Sequence, residues 1–181
     1  VMTPLLQGSR LDLRVLCDAD ADGPYPGWLN DPLVCAGNSH GVWPYSREMA
    51  REFIARSRQT RDALTLAMVV RDDGRHIGNI SLQALQAANR SAEFAVLLGD
   101  RTAWGQGYGL EAARLIVAHG FDNLNLHRIH CGTFADNQAM LALARKLGMQ
   151  QEGLRRQAVY KHGAWLDVVE FGLLRDEFVR T

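Results

Sequence analysis

Gly105, Gly107 and Gly109 alternate with other residues inside the run Arg101-Thr-Ala-Trp-Gly-Gln-Gly-Tyr-Gly-Leu-Glu-Ala-Ala-Arg114. Glycine lets a backbone turn sharply and lets a ligand approach closely. Before the run, Ala92-Glu-Phe-Ala-Val-Leu-Leu98 is a short apolar segment that reads as a strand. After it, Leu110, Ala113, Val117, Phe121 and Leu124 recur at helical spacing, which predicts a helix from Gly109 to Asn123. The first amides of a helix have no internal partner and point outward at the positive end of its dipole. A strand, a glycine-rich turn and a helix start together suit a phosphate or pyrophosphate, although a tight turn without a ligand uses the same residues.

The common nucleotide motifs do not fit. A Walker A loop closes on Gly-Lys-Ser/Thr, and Tyr108-Gly109-Leu110 stands in that place. The dinucleotide fingerprint follows the first strand of a parallel βαβ unit and needs an acid roughly 20 residues on. This turn lies past mid-chain, and the strand that follows, Arg128 to Phe134, carries no acid at its end. A different phosphate-bearing cofactor is required.

Glu93 is the lone acid of the apolar strand. Alternation puts Glu93, Ala95 and Leu97 on one face and Phe94, Val96 and Leu98 on the other. Such a carboxylate is either a general base or a sheet-surface partner of a neighbour. His127 and His130 flank a strand and read as structural. Trp28, Asn30, Trp43 and Tyr45 lie in loop-rich sequence, where they either line a pocket or seal a core edge.

These residues need elements to hold them. Ser9 to Val15 alternates as a first strand. Asp18 to Asp22 starts a helix that Gly23-Pro-Tyr-Pro-Gly27 should break, and Trp28 to Val34 resumes a helical turn ahead of Gly37 to Tyr45, a loop. Ser46 caps an amphipathic helix to Ser57 with Met49, Phe53 and Ile54 inward. Leu64–Arg71 and Ile77–Leu85 form a hairpin, and the strand before the glycines completes a meander. A strand from His127 to Phe134, a helix from Asp136-Asn137 to Leu147 and a hairpin about Gly163 close the chain. The expected order is βααβββαβαββ, an α+β domain with a mostly antiparallel sheet.

With 181 residues, 47% hydrophobic and 22% charged, residues 1–181 are expected to form one domain with a real core. Twenty basic and twenty acidic side chains cancel, so no global field favours nucleic acid or an anionic membrane. No apolar run reaches a membrane span and no signal-peptide core is present, and Cys17, Cys35 and Cys131 lack metal spacing. A cytoplasmic protein without a metal is expected.

Trp104-Gly-Gln-Gly-Tyr-Gly-Leu-Glu-Ala112, Leu126-His-Arg-Ile-His130, Asn137 with Lys146-Leu-Gly-Met-Gln-Gln-Glu-Gly153, and Tyr160 with Gly163-Ala-Trp-Leu-Asp-Val168 resemble the GNAT superfamily of acyl-CoA N-acyltransferases. Within it, the chain looks like the ribosomal-protein N-terminal acetyltransferase branch. Trp28-Leu-Asn-Asp-Pro-Leu-Val34 is similar to a segment found there and in acetyltransferases of sugar-nucleotide amines. The resemblance implies a three-layer fold of about seven strands, with splayed central strands, and about four helices.

It also implies acetyl-CoA as co-substrate and direct transfer of acetyl to an amine, whether a small molecule, a sugar amine or a protein N-terminus. The amides of Gly105, Gln106, Gly107, Tyr108 and Gly109, beside Trp104, would cradle the pyrophosphate. Val96, Leu97 and Leu98 would pair with the pantetheine arm, with Arg101 and Lys146 near the phosphates. Asn137 would approach the thiol end, or simply cap its helix. Where relatives often carry a serine as acid for the thiolate, this chain has Met140, which leaves Tyr160, a water or an unassisted thiolate. Glu93 is the candidate base, and Trp28, Asn30, Trp43 and Tyr45 are candidate acceptor contacts. Dimers are frequent among relatives, and a non-catalytic CoA-binding module of the same fold is the alternative reading.

Overall fold

A computed structural model of the chain describes residues 3–180. Its strands and helices in order are β1 (Leu6–Gln7), β2 (Leu11–Val15), α1 (Asp18–Asp22), α2 (Tyr25–Trp28), α3 (Arg47–Ser57), β3 (Leu64–Val70), β4 (His76–Gln86) and β5 (Ser91–Leu98). Then follow α4 (Tyr108–Asp122), β6 (Arg128–Phe134), α5 (Gln138–Lys146), β7 (Gln150–Lys161) and β8 (Ala164–Leu174). All eight strands form one sheet in the order β1-β2-β3-β4-β5-β6-β8-β7. Every neighbouring pair is antiparallel except β5 with β6.

Alternation along the strands decides the layers. Leu66 and Met68 of β3, Ile80 and Leu82 of β4, Phe94 of β5, and Ile129 and Cys131 of β6 bury one face against Ala113, Val117 and Phe121 of α4 and Leu141 and Ala144 of α5. The opposite face carries a second cluster, in which Ala67 meets Tyr25, Trp28, Ala50 and Ile54 from α1–α3. Three layers result, as the resemblance implies.

The first strand divides into β1 and β2, so the eight strands and five α-helices among the described residues stand close to the expected seven and four. Some local expectations are corrected. The helical turn near Trp28 occupies Tyr25–Trp28, across the Pro-Tyr-Pro-Gly run expected to break it. Pro24 and Pro26 sit at the cap and in the first turn, where a missing N–H costs nothing. Ser46 does cap α3, accepting from Met49 N, but the buried residues are Ala50 and Ile54, while Met49 is 45% exposed. The final hairpin is longer than expected, with β7 beginning at Gln150.

The junction of β5 and β6 positions the site. Their parallel pairing consists of Ser91 with Arg128, Ala92 with Ile129 and Glu93 with His130. Beyond Glu93, β5 keeps only its β4 partners, Phe94 to Leu98 against Leu82 to Gly78. β6 stays paired to β8 as far as Phe134. The sheet is therefore parted between residues 94–98 and 131–134.

Candidate active site

The turn after β5 is held by side chains so that its main chain faces outward. Asp100 accepts from Thr102 N at 2.9 Å and from Arg75 at 2.6 Å, fixing the short 3-10 turn Arg101–Ala103. Gly105 and Gly107 follow with φ of 72° and 83°, a left-handed region that L side chains rarely occupy. Gly109 lies inside α4 and needs no such conformation. Among the described residues, the backbone N–H groups of Gly105 through Leu110 donate to no protein acceptor. They form a row of donors at the positive end of α4, a fitting cradle for phosphate oxygens.

Arg10 of the β1–β2 link clamps this turn. Its guanidinium donates to Gln106 O at 2.8 Å and to Glu111 at 2.9 Å, and it lies 4.7 Å from the centroid of the Tyr108 ring. Burial alone would raise the Glu111 carboxyl, but the backbone N–H and guanidinium of Arg10 and the Ser9 hydroxyl hold it below its usual range. Glu111 was visible in the glycine motif. Arg10 was missed, because nothing in a strand-entry arginine marks a partner about a hundred residues away.

Other cofactor candidates divide by what already engages them. Val96, Leu97 and Leu98 line the parted edge of β5. The Leu98 carbonyl is not free, since Trp104 donates its indole N–H to it at 2.8 Å. Arg101 is exposed and lies 3.5 Å from Asp31. Lys146 is exposed in the last turn of α5.

Asn137 uses both ends of its side chain within the protein. The carbonyl caps α5 by accepting from Met140 N at 3.1 Å, and the amide donates to Gly37 O at 3.0 Å. The same loop is held again by Lys161, a buried ammonium that donates to Asn38 O at 2.9 Å and to His40 O. Met140 is part-buried against the main core. Tyr160 is 59% exposed near the hairpin tip, its ring 5.2 Å from that of Trp165.

The acceptor candidates sit in the α1–α3 layer. Trp28 is buried with its ring edge-on to His76 at 5.0 Å, in the space a Cβ on Gly99 would need. Asn30 staples the segment, accepting from Tyr45 N and donating to the carbonyls of Tyr45 and Pro26. The Tyr45 hydroxyl lies 3.4 Å from that of Tyr25. Trp43 is 81% exposed, and with Leu29, His40, Val42, Tyr45 and Met49 it borders a small hollow of about 130 Å³.

Beneath these residues lies a buried charge cluster that sequence reasoning missed. Arg14 makes two hydrogen bonds to Asp20, at 2.7 and 2.8 Å, Cys17 N adds a third, and His76 Nδ1 stands 3.3 Å away. Burial would push the Asp20 carboxyl up, but these donors outweigh it and hold it far below the carboxylate range. The available signal was the acid-rich first turn of α1, where Asp20 returns to the cap amide.

Glu93 lies on the face opposite Phe94 and accepts from Gln83 at 3.3 Å. Cys131, beside it on β6, is buried, and that burial together with Glu93 and Glu170 pushes its thiol up to about 12. Burial also raises the Cys35 thiol. Neither offers a thiolate near neutral pH, so neither is suited to carry an acyl group covalently. No group of His, Cys, Asp and Glu able to hold a metal occurs among the described residues, and no helix there is long and apolar enough to cross a membrane.

The sequence profile of the Acetyltransferase (GNAT) domain family matches residues 10–150. The uncharacterized N-acetyltransferase YoaA of Bacillus subtilis (strain 168) is 29% identical over 176 residues, covering 96% of this chain and 98% of that protein. YdaF of the same organism, which carries the provisional name of ribosomal N-acetyltransferase, is 30% identical over 106 residues, 59% of this chain and 57% of that protein. Among solved structures, spermidine N-acetyltransferase from Vibrio cholerae in complex with CoA and spermine superposes with a TM-score of 0.85 at 20% identity, covering 93% of this chain and 98% of that one.

Proposed function

Because the chain belongs to the GNAT acetyltransferase family, we propose that it moves an acetyl group from acetyl-CoA to a primary amine, with both substrates bound together. One observation carries this reading: six consecutive free amides stand at the head of α4, beside a sheet that parts after Glu93 and His130. Bound acetyl-CoA would supply the activated acetyl group as a thioester. The amides of Gly105–Gly109 would take the pyrophosphate, and the parted edge of β5 would offer the pantetheine arm a strand to pair with.

The chain's own groups would then serve the amine. Glu93 at the fork gives an ammonium a counter-charge. The two buried thiols are held protonated, which favours direct attack over an acyl-enzyme. Asn137 and Lys161 keep the 37–41 loop in place over the acceptor side. Residues 1–181 would act as one acetyltransferase domain, in the cytoplasm where acetyl-CoA is available. The solved relative with spermine and the ribosomal name of YdaF make polyamines and protein N-termini the acceptors to try first.

The test is calorimetry with CoA, followed by colorimetric release of CoA thiol from acetyl-CoA with spermidine and with an alanine-ended peptide. Binding and amine-dependent thiol release are expected. Tight CoA binding without release to any primary amine would favour the non-catalytic module, and no binding would remove the reading altogether.

A further inference from the structure

Glu93 and His130 are the last in-register pair before β5 and β6 separate. Their neighbours Ala92, Phe94, Ile129 and Cys131 are all buried in the α4–α5 core, so strand alternation turns Glu93 and His130 together onto the opposite face. Adjacent strands stand about 4.8 Å apart, so the two side chains rise from neighbouring points at the fork. Gly132, next on the same face of β6, and Gly172, the partner of His130 on β8, bring no side chains of their own, and charged groups from neighbouring positions fill the space over them.

The charges on this part of the sheet are named by the same register. Glu93 comes from β5, Glu170 from β8 reaches over Gly132, and Arg155 of β7 pairs with Glu170 at 2.5 Å. Arg128 of β6 pairs with Glu152 of β7 across Gly172. The two arginines each hold a glutamate, which leaves Glu93 as the carboxylate without a cationic partner.

We propose that His130 is a further catalytic residue, the base that takes the proton from the attacking amine, while Glu93 holds the ammonium beside it. This rests on the acetyltransferase reading above. Imidazole is the side chain whose ordinary titration lies nearest neutral pH, whereas a carboxylate of ordinary acidity is a weak base there. The amine arrives with three protons. One passes to His130 and on to water, and the nitrogen lone pair then forms the N–C bond as the C–S bond breaks. The second proton neutralises the departing thiolate, and the third remains on the amide. Glu93 attracts and His130 deprotonates, a division that places the two functions on the two arms of the fork.

The test measures acetyl transfer from acetyl-CoA to spermidine and to the alanine-ended peptide, for wild type, His130→Ala, His130→Gln and Glu93→Gln. For His130→Gln, kcat is expected to fall about a hundredfold or more with the KM for acetyl-CoA unchanged. The acidic limb of its pH–rate profile should disappear. Added imidazole should restore part of the activity of His130→Ala, a rescue that a packing role would not show. Glu93→Gln should raise the amine KM and keep that acidic limb. If both His130 variants keep wild-type kcat and the acidic limb, the proposal is overturned while the acetyltransferase reading stands. If they lose activity with a lowered melting temperature and no imidazole rescue, His130 is structural and the proposal also falls. Wild type inactive toward every primary amine would sink both.

Discussion

The glycine turn at the head of α4 and the aromatic segment between α2 and α3 are built on opposite terms. In the turn, side chains hold the main chain still: Arg10 grips Gln106 O, and Asp100 fixes the preceding 3-10 turn, while a row of amides is left free. In the segment, polar groups spend themselves on one another, as Asn30 does on Tyr45 and Pro26. The lesson is that a backbone site needs an unspent backbone, and the turn has one. The aromatic segment is a built wall, which offers a bound molecule shape rather than free hydrogen-bonding groups from Asn30.

This contrast can be broken at its strongest point first. The wall stands on the Arg14–Asp20–His76 cluster, so Asp20→Asn should destabilise the protein by about 3 kcal/mol or more, as for other broken buried ion pairs. Chemical denaturation would measure it. Because folded Asp20 is held below its usual range, its stabilisation is complete above the ordinary carboxylate pKa of ~3.9. It is lost as pH falls through the lower folded value. The gap between wild type and variant should therefore be flat from neutral pH to about 4 and shrink below that. A gap that widened on acidification would contradict the cluster's role.

At the turn, Gly107→Asp puts a side chain into left-handed backbone near Arg10 and a negative charge where phosphate would sit. CoA affinity should fall at least about a hundredfold, ~2.7 kcal/mol, with stability changed far less. Unaltered affinity in calorimetry would show that the turn is not the cofactor site. Asn137→Ala removes a helix cap and the tie to Gly37, so the melting temperature should drop by the equivalent of about 1 kcal/mol. Its amine KM should rise with CoA affinity intact, and equal loss of both would blur the division between the two regions. Smallest is Arg10→Met, which keeps an apolar stem over Tyr108 but loses the grip on Gln106 O. A loss of CoA affinity of about tenfold, ~1.4 kcal/mol, is expected by titration.

The chain sequence determined the elements whose signals are local. Helical spacing located α4 to within a residue, Ser46 and Asn137 announced their caps, and Gly163 marked the last hairpin. The glycine turn was legible too, because free amides at a helix start follow from backbone conformation alone. Only the tertiary structure decided the rest. Arg10 reaches a turn far along the chain, Arg14 finds Asp20 and His76 across separate elements, and Glu93 meets His130 through the single parallel pairing of the sheet. Such contacts depend on register between strands distant in sequence, and alternation reveals which face a residue takes but not which neighbour stands beside it.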